Sequence, residues 1–550
     1  MSSTNFSSGT VIASTWLNDV NNAVYNGSFP TQVSSAGISY NQGGTGAVTT
    51  TVQAKLRQYV SVSDFGAVGD GTTDDTVAIQ SAITAVNSFG GGTLLFGAGK
   101  TYLISTLVPK EKVFIDLNGS TLFEKSGGSG PIFFDGRTSG AFYVGFGVTN
   151  GTLNLNGQNN QNNNQTGSGI WLTNWKQLNF TNLYITGANR VVFNFYGCQN
   201  VNISNILCVN NGISTSSQYA YLGYFAKSSD LQRCSCINID NFKVSTLYGY
   251  GFHFFEATNF SLNNATFDNV TQTGTAIAIT LTQAQFGTLS NIYANNVDGD
   301  AIEVNSSEDI VIQNISVAAP GNRGLLFGDN LTGLYSQRVY VNNFKISSTG
   351  GTYSAALNFV RNCVFNNLNT DKTITTFYSG GAIYDHENVI SNSIINGNLN
   401  PDLDYFQKFS LEKISFTNFY VNSYNGNVAF VSNPKSGTNS QNYSLPLAIG
   451  GVTYINFAAL NNFGLDGVVF GKLKVNSSLN SSQASYQECL FIASSNLTDL
   501  NISSITTVST AIPRAVTITT DAANGRIVLT NSTGVALNIN WTIDLSGSSS

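Results

Sequence analysis

Asparagine returns along this chain at one point of a recurring segment, after a short β-type run and before an apolar residue: Asn118, Asn150, Asn182, Asn205, Asn241, Asn264, Asn291, Asn314, Asn343, Asn367 and Asn418. Typical segments read VNISNI, INIDNF, FSLNNATF, GTLSNI, IVIQNI and VYVNNF. The steps Asn182–Asn205, Asn241–Asn264 and Asn291–Asn314 are each 23 residues; the others as far as Asn367 run from 24 to 36, the surplus being assigned to loops on one side, and Asn367–Asn418 spans 51. A unit of this size cannot bury its own apolar face and must stack on its neighbours, which makes it the coil of a parallel β-solenoid. Coils stack ~4.8 Å apart, so eleven or more would give a rod on the order of 50–60 Å long. An asparagine buried at the bend is expected to bond its own coil and the next, contributing roughly 1 kcal/mol per bond. Its role is therefore structural rather than catalytic.

The solenoid needs a plug for its open end, and the stretch VSVSDFGAVGDGTTDDTVAIQSAITAVNS, residues 60–88, supplies one. Gly69-Asp70-Gly71 is a sharp turn in which glycine provides positive φ. A helix follows at about 74–88, with Thr73 or Asp74 as N-cap, Asp74 and Asp75 at its positive end, and an apolar stripe of Val77, Ile79, Ala82, Ile83 and Val86. Gly90-Gly91-Gly92 stops it, and TLLFGAGKTYLI continues as β-structure. This block, DFGAVGDG-T-DDT-AIQ-AI, closely resembles the first segment of the pectate-lyase-like right-handed β-helix in the form carried by phage tailspike proteins.

Totals narrow the function classes. Only 10% of residues are charged and the net charge is −6, with no basic run, which argues against nucleic acid as the main ligand. No apolar run reaches about 18 residues, so no membrane insertion is expected. The six cysteines, Cys198, Cys208, Cys234, Cys236, Cys363 and Cys489, have no metal-site or disulfide-framework spacing and are expected as buried thiols. No metal and no cofactor are expected. The N-terminus MSSTNFSSGTVIAS lacks the basic and apolar regions of an export signal, which suits a phage protein released by lysis better than a secreted enzyme.

Four regions follow. Residues 1–27 contain a short amphipathic helix starting at Ser14 and resemble the virion anchor of podovirus-type tail spikes and fibres. Residues 28–59, rich in Gly, Ser and Thr, resemble the neck of such proteins. Residues 60–432 are the right-handed parallel β-helix. The polar break VSNPKSGTNSQNYSL, residues 431–445, marks a boundary, and residues 433–550, alternating polar and apolar beyond it, read as a C-terminal β-sandwich-like domain for trimerisation or glycan binding, with Asn524-Gly525 as a hairpin turn. The fold class is all-β.

Chemistry is expected where acidic side chains gather on one face. Aligning the inward pairs Phe252/Phe254, Ile277/Ile279, Ile302/Val304 and Leu325/Phe327 stacks His253, Ala278, Glu303 and Leu326 outward. The turn Val297-Asp298-Gly299-Asp300 brings Asp298 and Asp300 to the same surface as Glu303. The segment VDGDAIEVNSSEDIVIQNISV with GNRGLLFG resembles the core of polygalacturonases, also right-handed β-helices. That family has an Asp-Asp pair before the strand, Asn-Thr-Asp-Gly one coil earlier and Gly-His-Gly one coil later. Here these read Gly299-Asp300, Thr271-Gln272-Thr273-Gly274 and Asn322-Arg323-Gly324, so Asp300 is the one position carried over.

Glycoside hydrolysis uses two carboxyl groups, ~5–5.5 Å apart for retention or ~6.5–9.5 Å for inversion. Asp300 is the expected base and Glu303, among apolar neighbours, the expected acid, with Asp298 as a third candidate. Arg323 would hold a substrate carboxylate or developing negative charge. His253, Glu256, Tyr248 and Tyr250 would line the substrate groove, with Tyr219, Tyr221, Tyr224, Phe255, Trp171 and Trp175 as further aromatic candidates. A lyase would use Arg323 with His253 or a tyrosine instead. The resemblance implies a homotrimeric tailspike in the virion tail, docked through its N-terminus to tail or portal-adaptor proteins. It would adsorb to, and cleave, a host surface polysaccharide. A non-catalytic adsorption spike is the alternative.

Overall fold

A computed structural model describes residues 34–128, 130–160, 167–212, 220–272, 275–328 and 335–376, and beyond them the backbone of strands between 387 and 547. The virion-anchor reading of residues 1–27 lies outside the described residues, as do Tyr219, Thr273 and Gly274. From Tyr59 to Phe419 the strands form one continuous 29-stranded parallel system, a right-handed β-helix of about 10 turns where eleven or more were expected. After it the pairing changes to antiparallel, in one sheet of five strands and one of three. Val516–Asp521 and Arg526–Asn531 pair antiparallel across the Asn524-Gly525 turn signal.

Each coil is folded by residues in the left-handed region. Asn259, Asn264 and Asn269 have φ of 51–53°, and in the next coil Phe286, Asn291 and Asn296 have φ of 52–54°. The five-residue step between them makes two short straight faces joined by corners. Asparagine tolerates this conformation better than any residue but glycine, which is why it repeats. The side chain at such a corner points out of the coil, so the ladder asparagines from Asn118 to Asn343 are exposed and Asn367 is half-buried, not buried as expected, while the Asn418 side chain lies outside the described residues. They still bond from coil to coil: Asn205 Nδ2 donates to Asn182 Oδ1 (3.0 Å), Asn314 to Asn291 (3.1 Å) and Asn343 to Asn314 (2.9 Å). The row jogs where Asn150 donates to Asp116, where Asn263 and Asn264 both donate to Asp240 Oδ1, and where Asn291 donates to Asn263.

Inside, alternate strand residues stack into an apolar core. Phe252, Ile279, Ile302, Leu325 and Ala355 are register partners on successive coils and all are buried. Phe225, Phe254 and Phe260 stack on one another in the same interior, with ring centroids 5.2 and 4.4 Å apart. Cys198, Cys208, Cys234 and Cys363 are buried free thiols, whereas Cys236, at a left-handed corner, is exposed, contrary to expectation.

The plug is built from three aspartates with different tasks. Asp70 accepts from the amides of Thr72 (2.8 Å) and Thr73 (2.7 Å), which closes the turn. Asp74 accepts from the Thr76 amide and pairs with Lys125 at 2.6 Å. Asp75 is almost wholly buried and accepts from the amides of Val68 (2.7 Å) and Gly69 (3.0 Å), pinning the loop to the helix. The helix runs Thr76–Ser88 with Asp75 at its N-cap, one to two residues later than expected. Ile79, Ala82, Ile83 and Val86 face the core. Val77 does not: it is about 200° round the helix from Ile79 and 77% exposed. Gly69 has φ of 67°, and a Cβ there would meet the Tyr102 ring at 2.8 Å.

Asp75→Ala leaves two amides of the plug without acceptors. It is expected to cost roughly 2–4 kcal/mol, read as a lower thermal midpoint at unchanged far-UV circular dichroism. An unchanged midpoint would mean the plug does not hold the first coils.

Candidate functional site

The register of the parallel strands places outward side chains in rows along one face. One row runs Phe134, Trp171, Asn194, Tyr224 and His253, and continues through Thr280, Glu303 and Leu326. The expected alignment put Ala278 between His253 and Glu303. The inward pair of that coil is Ile279/Leu281, so Thr280 takes the place and Ala278 is buried. A slip of two residues preserves the apolar–polar alternation, and AIAITL fits either setting.

Glu303 therefore projects from the middle of the row, half-buried beside Thr280 and Leu326. Burial raises its pKa, the nearby Asp300 charge adds to that, and Arg323 and an amide bond from Asn305 oppose it. The bond is Asn305 Nδ2 to Glu303 Oε1, 2.9 Å. Asp300 is buried, with both oxygens bound by the next coil's guanidinium: Arg323 Nε to Oδ1 at 2.8 Å and Nη2 to Oδ2 at 3.0 Å. Asp298 is half-buried and accepts from the Gln272 amide at 2.8 Å. Of the three carboxyls read from the sequence, Asp298 and Asp300 are tied into the wall. Glu303 keeps a single amide donor and a desolvated carboxyl.

His253 lies on the same row, one coil beyond Thr280 from Glu303, with Nε2 3.0 Å from Thr282 Oγ1. Burial pushes its pKa down to about 4, so it is neutral at neutral pH. Around it the rings form a wall: Tyr224 edge-on to His253 at 5.2 Å, Tyr224 stacked on Phe255 at 6.4 Å, and Tyr221 stacked on Tyr250 at 5.0 Å. Trp171 and Tyr196 extend the wall toward the N-terminal coils, 6.2 Å apart and nearly parallel. Tyr248 is in register with Thr271 and belongs to the Asp298 side. Glu256 sits at a left-handed corner and pairs with Lys227. Trp175, one of the aromatic candidates, is fully buried in the core instead.

Sequence reasoning missed Asn194, Thr280, Thr282 and Asn305, which carry no motif and become neighbours only through register. Asn194 Oδ1 and Asn305 Oδ1 are buried acceptors with no donor among the described residues, so each can take a hydroxyl proton. Gly328 makes room for the second: a Cβ there would stand 2.4 Å from Asn305 Oδ1 and 3.4 Å from Glu303 Oε1. Gly328→Ala is expected to displace the Asn305 amide and to reduce any Glu303-dependent turnover roughly ten-fold, the loss of the hydrogen bond that orients the carboxyl. The thermal midpoint should hardly move, because a side-chain end gives way. Unchanged turnover would detach Asn305 from the chemistry.

A family of pectate-lyase-like rhamnogalacturonase A/epimerase proteins matches residues 59–124. The tail spike protein of an Escherichia phage is 33% identical over 108 residues, 20% of this chain and 11% of that protein. A capsule-specific depolymerase of a Klebsiella phage is 40% identical over 93 residues, 16% of this chain and 11% of that protein. A mannuronan C5-epimerase of Azotobacter vinelandii is 58% identical over 40 residues, 7% of this chain and 3% of that protein. The chain thus spans about a tenth or less of the length of the curated relatives it matches. Among solved structures, the tailspike of E. coli bacteriophage HK620 in complex with a pentasaccharide aligns over 93% of this chain and 97% of that one, at 14% identity and a TM-score of 0.52. The Streptococcus pneumoniae surface adhesin PfbA aligns over 66% of this chain and 99% of that one, at 16% identity and a TM-score of 0.52. At these identities the likeness is one of fold.

Proposed function

We propose that this chain, whose solenoid has the fold of a phage tailspike and whose first coils are similar to pectate-lyase-like proteins, is a receptor-binding tailspike that holds host surface polysaccharide along the Trp171–Glu303 row and hydrolyses it there. The observation that carries this is a desolvated carboxyl, Glu303, in the middle of an outward row whose N-terminal half is a wall of rings. Flat rings suit the apolar faces of sugars, and the orphan oxygens of Asn194 and Asn305 suit their hydroxyls.

In this reading Glu303, protonated through its raised pKa, gives its proton to the glycosidic oxygen as the C–O bond breaks. Asp300 orients the water that adds to the anomeric carbon and takes its proton. A carboxylate has about four lone-pair sites, so two remain after the bidentate bond from Arg323. Asp298 supports the turn that carries Asp300. The rest of the reading follows from the tailspike assignment: a homotrimer in the virion tail, residues 1–27 as the anchor to tail or adaptor proteins, residues 28–59 as the neck and 433–550 as the C-terminal domain.

Binding without cleavage is the second reading. The pair between Arg323 and Asp300 favours it, because a carboxylate so fixed serves a wall as well as a reaction. End-group analysis separates the cases. The purified protein is expected to shorten capsule or exopolysaccharide of its host strain and to create new reducing ends without ultraviolet absorbance. Unsaturated, absorbing ends would indicate a lyase, and retention without shortening an adhesin.

A further inference from the structure

Just past the Ser306 corner, around the edge from the Glu303 row, a second cleft opens on the next face of the solenoid. Gln285, Glu308, Gln337 and Arg361 are register partners on four successive coils. Together with Arg233, Gln283, Ser306 and Tyr335 they enclose about 430 Å³. The floor is a fixed network. Arg233 Nη1 donates to Gln285 Oε1 (3.0 Å), and Gln285 Nε2 donates in turn to Glu308 Oε1. Gln337 Nε2 and Arg338 Nη2 donate to Glu308 Oε2 (2.7 and 2.9 Å). The cleft's one carboxylate thus serves three donors, and neither cation lining the cleft uses it.

Arg233 and Arg361 have no carboxylate partner among the described residues, and the Arg361 Nε is buried there without an acceptor. By register Arg361 stands three coils from Gln285, where Arg233 is bonded, so the two cations flank a cleft on the order of 14 Å long. Two guanidinium forks held apart by a bed of carboxamides match a ligand with spaced planar anions and hydroxyls between them. We propose that this cleft is a binding site for an acidic oligosaccharide, with uronate carboxylates on Arg233 and Arg361. The site is separate from the Glu303 row and does not require hydrolysis there.

The test is calorimetric titration of the full chain with tetragalacturonate, using the carboxyl-reduced tetrasaccharide as neutral control and inorganic phosphate as competitor. Binding of the charged probe alone is expected, weakened roughly ten-fold or more by Arg361→Gln and by Arg233→Gln, and partly restored in Arg361→Lys. Glu303→Gln should bind it as the unmodified chain does, so failure of the hydrolysis reading would leave this result standing. The thermal midpoint of Arg361→Lys guards against misfolding as a cause. No binding of the charged probe, equal binding of the neutral one, or insensitivity to both arginine changes would overturn the proposal. Displacement by phosphate at equal concentration would overturn the carboxylate assignment.

Discussion

Glu303→Gln is expected to abolish release of glycan fragments, lowering the rate 10²–10⁴-fold, the usual contribution of a positioned general acid. The substitution keeps the shape of the side chain and its acceptor toward Asn305, and removes only the transferable proton. Retention of polysaccharide should therefore survive, and the depolymerising defect should appear in kcat rather than KM. The pH profile of the unmodified protein should carry the same signature. Activity should persist above the ordinary glutamate range, because burial raises the Glu303 pKa, and should fall as that group finally loses its proton. Tyr224→Ala gives the complementary outcome, weaker retention with the acid intact. If Glu303→Gln cleaves at the unmodified rate, the acid lies elsewhere and the row is a binding surface only.

The second large effect concerns stability. Glu124 ends the strand Thr121–Glu124 with its side chain fully buried, and burial pushes its pKa up to about 8 from an ordinary 4.5. The folded chain then holds a proton that the unfolded chain has already released. Stability is greatest below the ordinary value and is lost as pH rises toward 8, by about 1.4 kcal/mol per pH unit inside that window. The whole interval amounts to roughly 3–5 kcal/mol. Glu303 has the same sign of shift and steepens the trend. Glu124→Gln is expected to flatten the thermal midpoint across pH 5–8 and to raise it at the upper end. A midpoint profile parallel to that of the unmodified protein would show that Glu124 is not the group responsible.

Much of this architecture could be read before any coordinates, because the left-handed corners of each coil select asparagine so strongly that the coils announce themselves. The plug was equally legible, since three aspartates at fixed spacing have backbone amides to satisfy. What could not be read was the setting of one coil against the next. The step from His253 to Thr280 is 27 residues and that from Thr280 to Glu303 is 23, and AIAITL is apolar at every second position over the doubtful stretch. Periodicity fixes which face a residue occupies but not which neighbour it meets, so Ala278 was placed where Thr280 stands. The same blindness hid Asn305 and the cleft between Arg233 and Arg361, whose members are far apart in the chain and share no motif.

The asparagine rows have a further consequence. An amide resting on an amide is the same contact whichever turn of the rod supplies the partner, so these rows set spacing without recording identity. A chain that began winding at several places at once would accumulate segments offset by a whole turn, each locally contented and mutually incompatible. Unequal loops, uneven rings in the interior and the aspartates that break the amide rows tell one turn from another. Assembly that starts at the plugged end and adds turns in order avoids such threading errors, and makes the first sixty residues of the solenoid the template for every turn after them.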